Sequence, residues 1–273
     1  MKQRLITGAI LTVILLPLIF IRPLYFYGIV GVFTLIASFE IVNMLKHKHF
    51  IPKGMMIYFG LATLTLYITL IALYVNLFVI ESLLVWLFAV LLTGLLLHVF
   101  IEKLTSELLG KMILYMLYVG VSFAALSMVR SEGVYTLLYL LILSMVTDMF
   151  AYFVGVKFGK HRLAPKISPK KSIEGSIGGS FFAVLFASIF AYYFDILPFE
   201  RIGIFIIVAI FTGLLVSITA QIGDLVASSF KRDHGIKDYS NIFPGHGGVL
   251  DRFDSSSFAA IALMIMFLIF GVL

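Results

Sequence analysis

The 273-residue sequence contains no cysteine and few charged residues. Without cysteine the chain can form no disulfide, no thiolate metal site and no thiol nucleophile. Only 12% of the residues are Asp, Glu, Lys or Arg, whereas a typical soluble domain has about 25%. A P-loop, an H-E-x-x-H sequence and a G-x-S-x-G sequence are also missing. Their absence argues against a P-loop NTPase, a zinc protease and a serine hydrolase.

Long apolar runs take the place of charge. The hydrophobic fraction is 62% and the mean hydropathy is +1.11. An α-helix needs about 20 apolar residues to cross a bilayer. We therefore predict an all-α polytopic integral membrane protein with about nine transmembrane helices, at residues 5–22, 24–45, 55–75, 77–100, 112–129, 134–156, 176–195, 202–228 and 255–273.

The first apolar run, after a basic N-terminus, has some features of a signal peptide. However, bulky residues and Arg22 follow Pro17, and no small-residue cleavage site is nearby. We therefore expect a retained first helix.

The basic residues predict the orientation in the membrane. When the N-terminus and every second connection are placed on one side, 17 of the 20 lysines and arginines fall on that side. By the positive-inside rule this side is cytosolic. We predict a cytosolic N-terminus, cytosolic loops at 157–175 and 229–254, a C-terminus on the opposite face, and a site that faces the cytosol from the cytoplasmic (inner) membrane. Residues 1–130 would form about five N-terminal spans, and residues 131–273 a catalytic part.

The segment 228–254 concentrates charge in this apolar chain. Its 27 residues include four lysines and arginines, two histidines, four aspartates and the sequence P-G-H-G-G at 244–248. Glycine adopts conformations closed to other residues, so P-G-H-G-G predicts a sharp turn with close backbone approach.

Three aspartates flank the basic, glycine-bearing part of this segment and suit a metal ion. Asp251 and Asp254 are three residues apart, so on a helix they project from one face. Asp224 and Ser228 share a face by their spacing of four. Carboxylate oxygens suit Mg²⁺, which usually binds one or two carboxylates plus substrate phosphates. The alternative is a helix-capping aspartate pair with surface ion pairs.

The loop before the seventh predicted span has a second group of polar residues. Pro165 and Pro169 disfavour a helix there. Ser172 is placed to cap the following helix, and Lys170 and Lys171 precede that helix start, where phosphate binding is favoured. A basic loop that only sets the topology is the alternative.

Asp148 lies inside the sixth predicted span. An ionisable residue within a membrane helix costs a few kcal/mol on insertion scales, about 2.5–3.5, and normally has a partner or a function. It either faces a polar cavity or makes a structural contact between helices. Glu40 and Asn43, near the end of the second span, either line the same cavity or reach the interface.

The segment 228–254 resembles the signature of the phosphatidate cytidylyltransferases, also called CDP-diacylglycerol synthases. The pattern S-x-apolar-K-R-x4-K-D-x-small-x2-apolar-P-x-H-G-G-apolar-x-D-R-apolar-D is met from Ser228 to Asp254. Asp148 with the A-Y-F-V-G run, and I-S-P-K-K-S-I-E-G at 167–175, are also similar to this family, although Met149 and Ser172 stand where threonine is expected.

The resemblance implies an Mg²⁺-dependent enzyme that joins CTP and phosphatidic acid, giving CDP-diacylglycerol and pyrophosphate. The acid count leaves room for a second cation. The resemblance also implies a homodimer in the lipid bilayer and no nucleic-acid partner. The site residues expected from it are catalytic (Asp148, Lys231, Arg232, His246, Asp251), substrate-binding (Lys170, Lys171, Ser172, Glu174, Ser228, Lys237, Asp238, Gly247, Gly248, Arg252) and metal-binding (Asp224, Asp251, Asp254).

Two other functions fit parts of the pattern. A CTP-dependent lipid-alcohol kinase, of the dolichol or phytol type, would move the γ-phosphoryl group and would need a base for a hydroxyl. A transporter or scaffold would use the basic loops only to bind anionic lipid. The full signature, with K-R-x4-K-D and D-R-F-D, favours the cytidylyltransferase.

Overall fold

The computed structural model describes Val13, residues 16–197 and residues 199–272. Its long helices are α1 (Pro23–Leu45), α2 (Lys53–Tyr74), α3 (Ile80–Phe100), α4 (Ser106–Ser131), α5 (Val134–Phe158), α6 (Ile173–Tyr193), α7 (Ile202–Asp233) and α8 (Leu250–Ile269). Two short strands, β1 (Arg162–Ala164) and β2 (Ser168–Ser172), lie between α5 and α6.

The helical membrane architecture is confirmed. Eight described helices are long and apolar enough to cross a bilayer, and they correspond to the second to ninth predicted spans. The first predicted span, 5–22, lies mostly outside the described residues, and residues 16–20 are helical.

Several helices extend beyond the predicted apolar runs. Helix α4 begins at Ser106 instead of 112, α7 continues to Asp233 instead of 228, and α8 begins at Leu250 instead of 255. Polar residues such as Glu107 and Asp251 occupy these extensions. Hydropathy detects the part of a helix that is apolar, whereas the backbone hydrogen bonds continue into the polar turns.

The chain forms two compact units. The first contains the described residues up to Met128 together with His234–Asp251, and the second contains Val129–Asp233 with the described residues from Arg252 onward. In the first unit α1 packs on α2 and α2 on α3. In the second, α6 packs on α5 and α7, and α5 also contacts α7. The predicted division at 130/131 stays a prediction.

Glycines bring α5 and α6 into close contact. A Cβ added at Gly179 would lie 2.5 Å from the Thr147 carbonyl oxygen, and one at Gly175 would lie 2.5 Å from the Ala151 carbonyl oxygen. The two backbones therefore approach as small-residue helix pairs do in membranes. The β1–β2 hairpin, whose strands pair antiparallel, ends directly before the start of α6.

Candidate functional site

The predicted site residues fall in both compact units, and each group is described by itself. In the first unit we call residues 239–249 the motif loop. In the second unit we call a set of acidic and basic side chains the carboxylate cluster, which consists of Asp148, Lys171, Asp224, Lys231 and Asp254.

The predicted sharp turn is confirmed in the motif loop. The His246 amide donates to the Phe243 carbonyl at 2.8 Å, and Gly245 has φ +78°. With Pro244 at the second position and glycine at the third, this is a type II turn. The Phe243 amide donates to the Gly247 carbonyl at 2.9 Å, and Gly247 has φ +81°, so both Gly245 and Gly247 hold conformations that favour glycine.

Asp251 ties the two ends of the motif loop together. Its Oδ2 accepts the Tyr239 amide at 2.8 Å and the Gly248 amide at 2.9 Å. A Cβ on Gly247 would lie 2.6 Å from the same oxygen. The buried Asp251 carboxylate is therefore a loop anchor in this structure, and its predicted roles in catalysis and metal binding stay predictions.

Glu40 reaches the same loop from α1. Its Oε1 accepts the Ser240 hydroxyl at 2.6 Å and the Val249 amide at 2.9 Å, and its Oε2 accepts the Leu250 amide at 2.9 Å. The side chain is 2% exposed. Glu40 therefore does not merely reach the interface, whereas a cavity that it shares with Asp148 stays a prediction; Asn43 is exposed.

His246 presents a polar atom that could receive a ligand. Its Nδ1 is buried and has no hydrogen-bond partner among the described residues. Buried polar atoms are normally paired, so such a nitrogen is a candidate for contact with substrate. Lys237 and Asp238, predicted substrate-binding residues that directly precede this loop, are exposed. Gly247 and Gly248 are buried.

Asp148 lies within helix α5, the sixth predicted span, as the sequence predicts. Its Oδ2 accepts the Ser255 hydroxyl of α8 at 3.2 Å, and it is within electrostatic range of Lys171 and Asp224. Ser144 also contacts the Ser255 hydroxyl, at 3.1 Å. The aspartate therefore has both a structural contact between helices and charged neighbours.

In the rest of the carboxylate cluster, acidic side chains lie near lysines. Lys171 forms an ion pair with Asp224, and each side chain is 25% exposed. Asp254 accepts the Ser255 amide at 2.9 Å and is within electrostatic range of Asp224 and Lys231. Lys231 is buried in the last turn of α7. Three carboxylates and two ammonium groups thus gather within this unit.

The carboxylate cluster is not a preformed metal cage. In the part of the chain that the structure describes, no three His, Asp or Glu side chains converge closely enough to hold an ion. The donors are nevertheless all oxygen atoms, as Mg²⁺ prefers, and Mg²⁺ usually combines one or two carboxylates with substrate phosphates. The residues fit an ion of this kind, and Asp224 and Asp254 stay the predicted ligands.

The hairpin residues divide between structural contacts and exposure. Ser172 caps α6, accepting the Gly175 amide at 3.2 Å, as predicted. Glu174 accepts the Lys160 amide at 3.0 Å and contacts His161 Nδ1 at 2.6 Å. Glu174 therefore holds the hairpin, and its contact with substrate stays a prediction.

Other predicted substrate-binding and phosphate-binding residues differ in exposure. Lys170, Arg232 and Arg252 are exposed, while Ser228 is half-buried.

Sequence reasoning missed a row of hydrogen-bonded polar side chains in the second unit. Thr147 and Ser217 hydroxyls lie 2.7 Å apart, Ser217 donates to Ser180 at 2.9 Å, and Gln221 donates to Ser180 at 3.0 Å. The row joins α5, α6 and α7 next to Asp148. The i,i+4 spacing of Ser217 and Gln221 was the available signal.

Comparisons with known proteins concern the chain as a whole. A model of the cytidylyltransferase family matches residues 2–270. The phosphatidate cytidylyltransferase of Bacillus subtilis (strain 168) is 35% identical over an alignment of 279 positions, which covers 99% of each chain. The phosphatidate cytidylyltransferase of Staphylococcus aureus (strain COL) is 33% identical over 268 residues, covering 97% of this chain and 98% of that protein.

Proposed function

Because the chain belongs to the cytidylyltransferase family, we propose that it transfers the cytidylyl group of CTP to phosphatidate, giving CDP-diacylglycerol and pyrophosphate. The family resemblance read from the signature at 228–254 agrees with the comparisons along nearly the whole chain. The observation that carries the proposal is the carboxylate cluster. It places acidic and basic side chains among membrane-spanning helices. A lipid phosphate and a nucleoside triphosphate both need such groups to neutralise their charge.

The chemistry needs positioning more than acid–base help. A phosphate oxygen of phosphatidate attacks the α-phosphorus of CTP in line, the new P–O bond forms, and the bond to the β-phosphate breaks, releasing pyrophosphate. The attacking oxygen is already anionic near neutral pH, so no strong base is required. The protein's contribution is to hold the two anionic substrates together and to neutralise their charge.

The carboxylates are proposed to hold Mg²⁺. Asp224 and Asp254 would be ligands, with Asp148 nearby in the second unit and Asp251 as a further candidate in the first. A bound Mg²⁺ supplies neutralisation of phosphate-oxygen charge. The number of acidic residues also allows a second cation.

The basic side chains are proposed to bind phosphates. The Lys171–Asp224 pair sets an ammonium group and a carboxylate side by side, so phosphate oxygens and a cation can be bound at adjacent points. Buried Lys231 and exposed Lys170, Arg232, Lys237 and Arg252 add positive charge for the triphosphate and the lipid phosphate. His246 Nδ1 can donate a hydrogen bond to a phosphate oxygen when it carries a proton.

The predicted orientation and assembly belong to the same proposal. The excess of lysine and arginine on one side of the predicted topology favours a site that faces the cytosol, where CTP is available. A homodimer is implied by the family resemblance, and chemical cross-linking of the purified protein would test it.

The decisive experiment follows the label of CTP in detergent-solubilised protein with phosphatidate and Mg²⁺. Label from the α-phosphate is expected in the lipid product and label from the γ-phosphate in pyrophosphate. Lipid labelled only from the γ-phosphate, with a lipid alcohol as acceptor, would identify a lipid-alcohol kinase instead. No transfer of either label, with anionic-lipid binding that survives Asp251→Asn and Asp254→Asn, would favour a transporter or scaffold.

A further inference from the structure

Glu40 stands out among the acidic residues because it lies far in sequence from the signature that it contacts. It belongs to α1, and its partners Val249 and Leu250 lie 209 and 210 residues further along the chain. The carboxylate is 2% exposed. A buried carboxylate near the end of a membrane helix needs compensating donors, and here the motif loop provides them.

The geometry is that of a helix cap supplied by another helix. Leu250 is the first residue of α8, and the first amides of an α-helix have no partner within the helix. The Glu40 carboxylate accepts the Val249 and Leu250 amides, both at 2.9 Å. A negative charge at a helix N-terminus is also favoured by the helix dipole.

Two carboxylates together bind three consecutive amides. Asp251 accepts the Gly248 amide, and Glu40 accepts the next two. Glu40 also accepts the Ser240 hydroxyl at 2.6 Å, so it joins both ends of the motif loop. Any Cβ on Gly248 would overlap the Glu40 carboxylate, which shows how closely the loop lies against α1.

We propose that Glu40 is a positioning residue for cytidylyl transfer: by holding Ser240, Val249 and Leu250, it sets the conformation of the motif loop, which carries His246 and is anchored on Asp251. The inference rests on the proposed function of the same loop. Glu40 need not touch either substrate, since it acts through the backbone of residues 240–250.

Glu40→Gln is the direct test, because glutamine keeps the size of the side chain but turns one acceptor oxygen into a donor. At least one of the three bonds is then lost. We expect kcat/KM for CTP to fall by up to about 100-fold, as a small misplacement of a catalytic element can cause. Backbone amides 248–250 should exchange with deuterium faster, while the helices of the second unit exchange as in wild type.

The matched control is Glu107→Gln, the same change on the exposed Glu107, which pairs with Lys111. This control should leave both kcat/KM for CTP and the deuterium exchange of amides 248–250 unchanged. Activity is expressed per folded molecule from thermal unfolding in detergent, since a merely structural role would lower the folded fraction without changing KM or kcat. If Glu40→Gln does not yield folded protein, Ser240→Ala removes a single donor, and the same readings apply with a smaller expected loss.

Two results would overturn the proposal. One is a folded Glu40→Gln or Ser240→Ala protein whose loop amides exchange faster but whose kcat/KM equals that of wild type. The other is reduced activity with unchanged exchange at 248–250. Failure of the proposed function itself is distinguishable, because wild-type protein would then transfer no α-label to phosphatidate.

Discussion

The two compact units use carboxylates differently. In the first unit, Glu40 and Asp251 accept backbone amides and a hydroxyl. In the second, Asp224 pairs with Lys171, and Asp254 is within electrostatic range of Lys231 and other aspartates. The first set is bound mostly by backbone amides, which cannot move without rearranging the chain, whereas the second faces flexible ammonium groups.

The two arrangements suit different tasks. The first fixes the conformation of a loop, whereas the second suits the binding of a ligand. Backbone amides held by a carboxylate define one conformation, because the donors are part of the chain itself. A lysine can exchange a carboxylate for a phosphate oxygen by a side-chain rotation, and the released carboxylate can then bind a cation. We therefore expect changes in the second unit to reduce chemistry directly, and changes in the first to act through the shape of the loop.

The largest effect is expected from Asp224→Asn and from Asp254→Asn. Each should lower kcat for α-label transfer by about 100- to 1,000-fold, the loss typical of removing one group that stabilises transition-state charge. The Mg²⁺ concentration needed for half-maximal activity should rise as well. The control is Glu200→Gln, an exposed acid of the same unit. Wild-type kcat in both aspartate variants would remove them from the metal assignment.

Lys171→Gln should have the next largest effect on catalysis. Losing a charge-assisted contact costs about 1.5–3 kcal/mol, so we expect kcat/KM to fall by about 10- to 100-fold. Steady-state kinetics with CTP and phosphatidate varied in turn would show which substrate the lysine binds. Lys166→Gln, an exposed change in the hairpin turn, serves as the comparison, and equal kinetics in the two variants would contradict a role for Lys171.

Gly248→Ala tests the loop of the first unit. The added Cβ would overlap Glu40 and would lie 2.7 Å from the Ser240 hydroxyl. We expect a loss of stability of about 1–3 kcal/mol, as for other overpacked sites, together with reduced activity. Thermal unfolding in detergent measures the first effect. Gly54→Ala, where a Cβ would meet nothing within 4 Å, should leave the unfolding temperature nearly unchanged.

Gly179→Ala tests the packing of α5 on α6 in the second unit, which contains the carboxylate cluster. The Cβ would lie 2.5 Å from the Thr147 carbonyl oxygen and 3.0 Å from Ala151, so α5 and α6 must separate. A destabilisation of about 1–2 kcal/mol is expected. Gly28→Ala, in open space within α1, should be neutral or slightly stabilising because alanine favours helix. Equal unfolding temperatures for both variants would show that the helix contact is loose.

Much of the architecture could be predicted from local features. Bilayer thickness dictates the length of an apolar helix, so the spans from residue 24 onward follow from hydropathy, with ends missed where Ser106 and Asp251 begin polar turns. The turn at 243–247 follows from proline and glycine chemistry, and the Ser172 cap from its position before a helix. Each of these signals lies within a few neighbouring residues.

By itself, then, the sequence determined a polytopic helical membrane protein and its family signature, and it predicted the residue types of a site. Only the tertiary structure showed that Glu40 holds Val249 and Leu250, that Asp251 anchors the motif loop, and that Lys171 pairs with Asp224. The reason is physical: the Glu40 contacts join residues about 200 positions apart. No periodicity or local propensity encodes such a pairing, which arises only when packed helices bring distant donors and acceptors together.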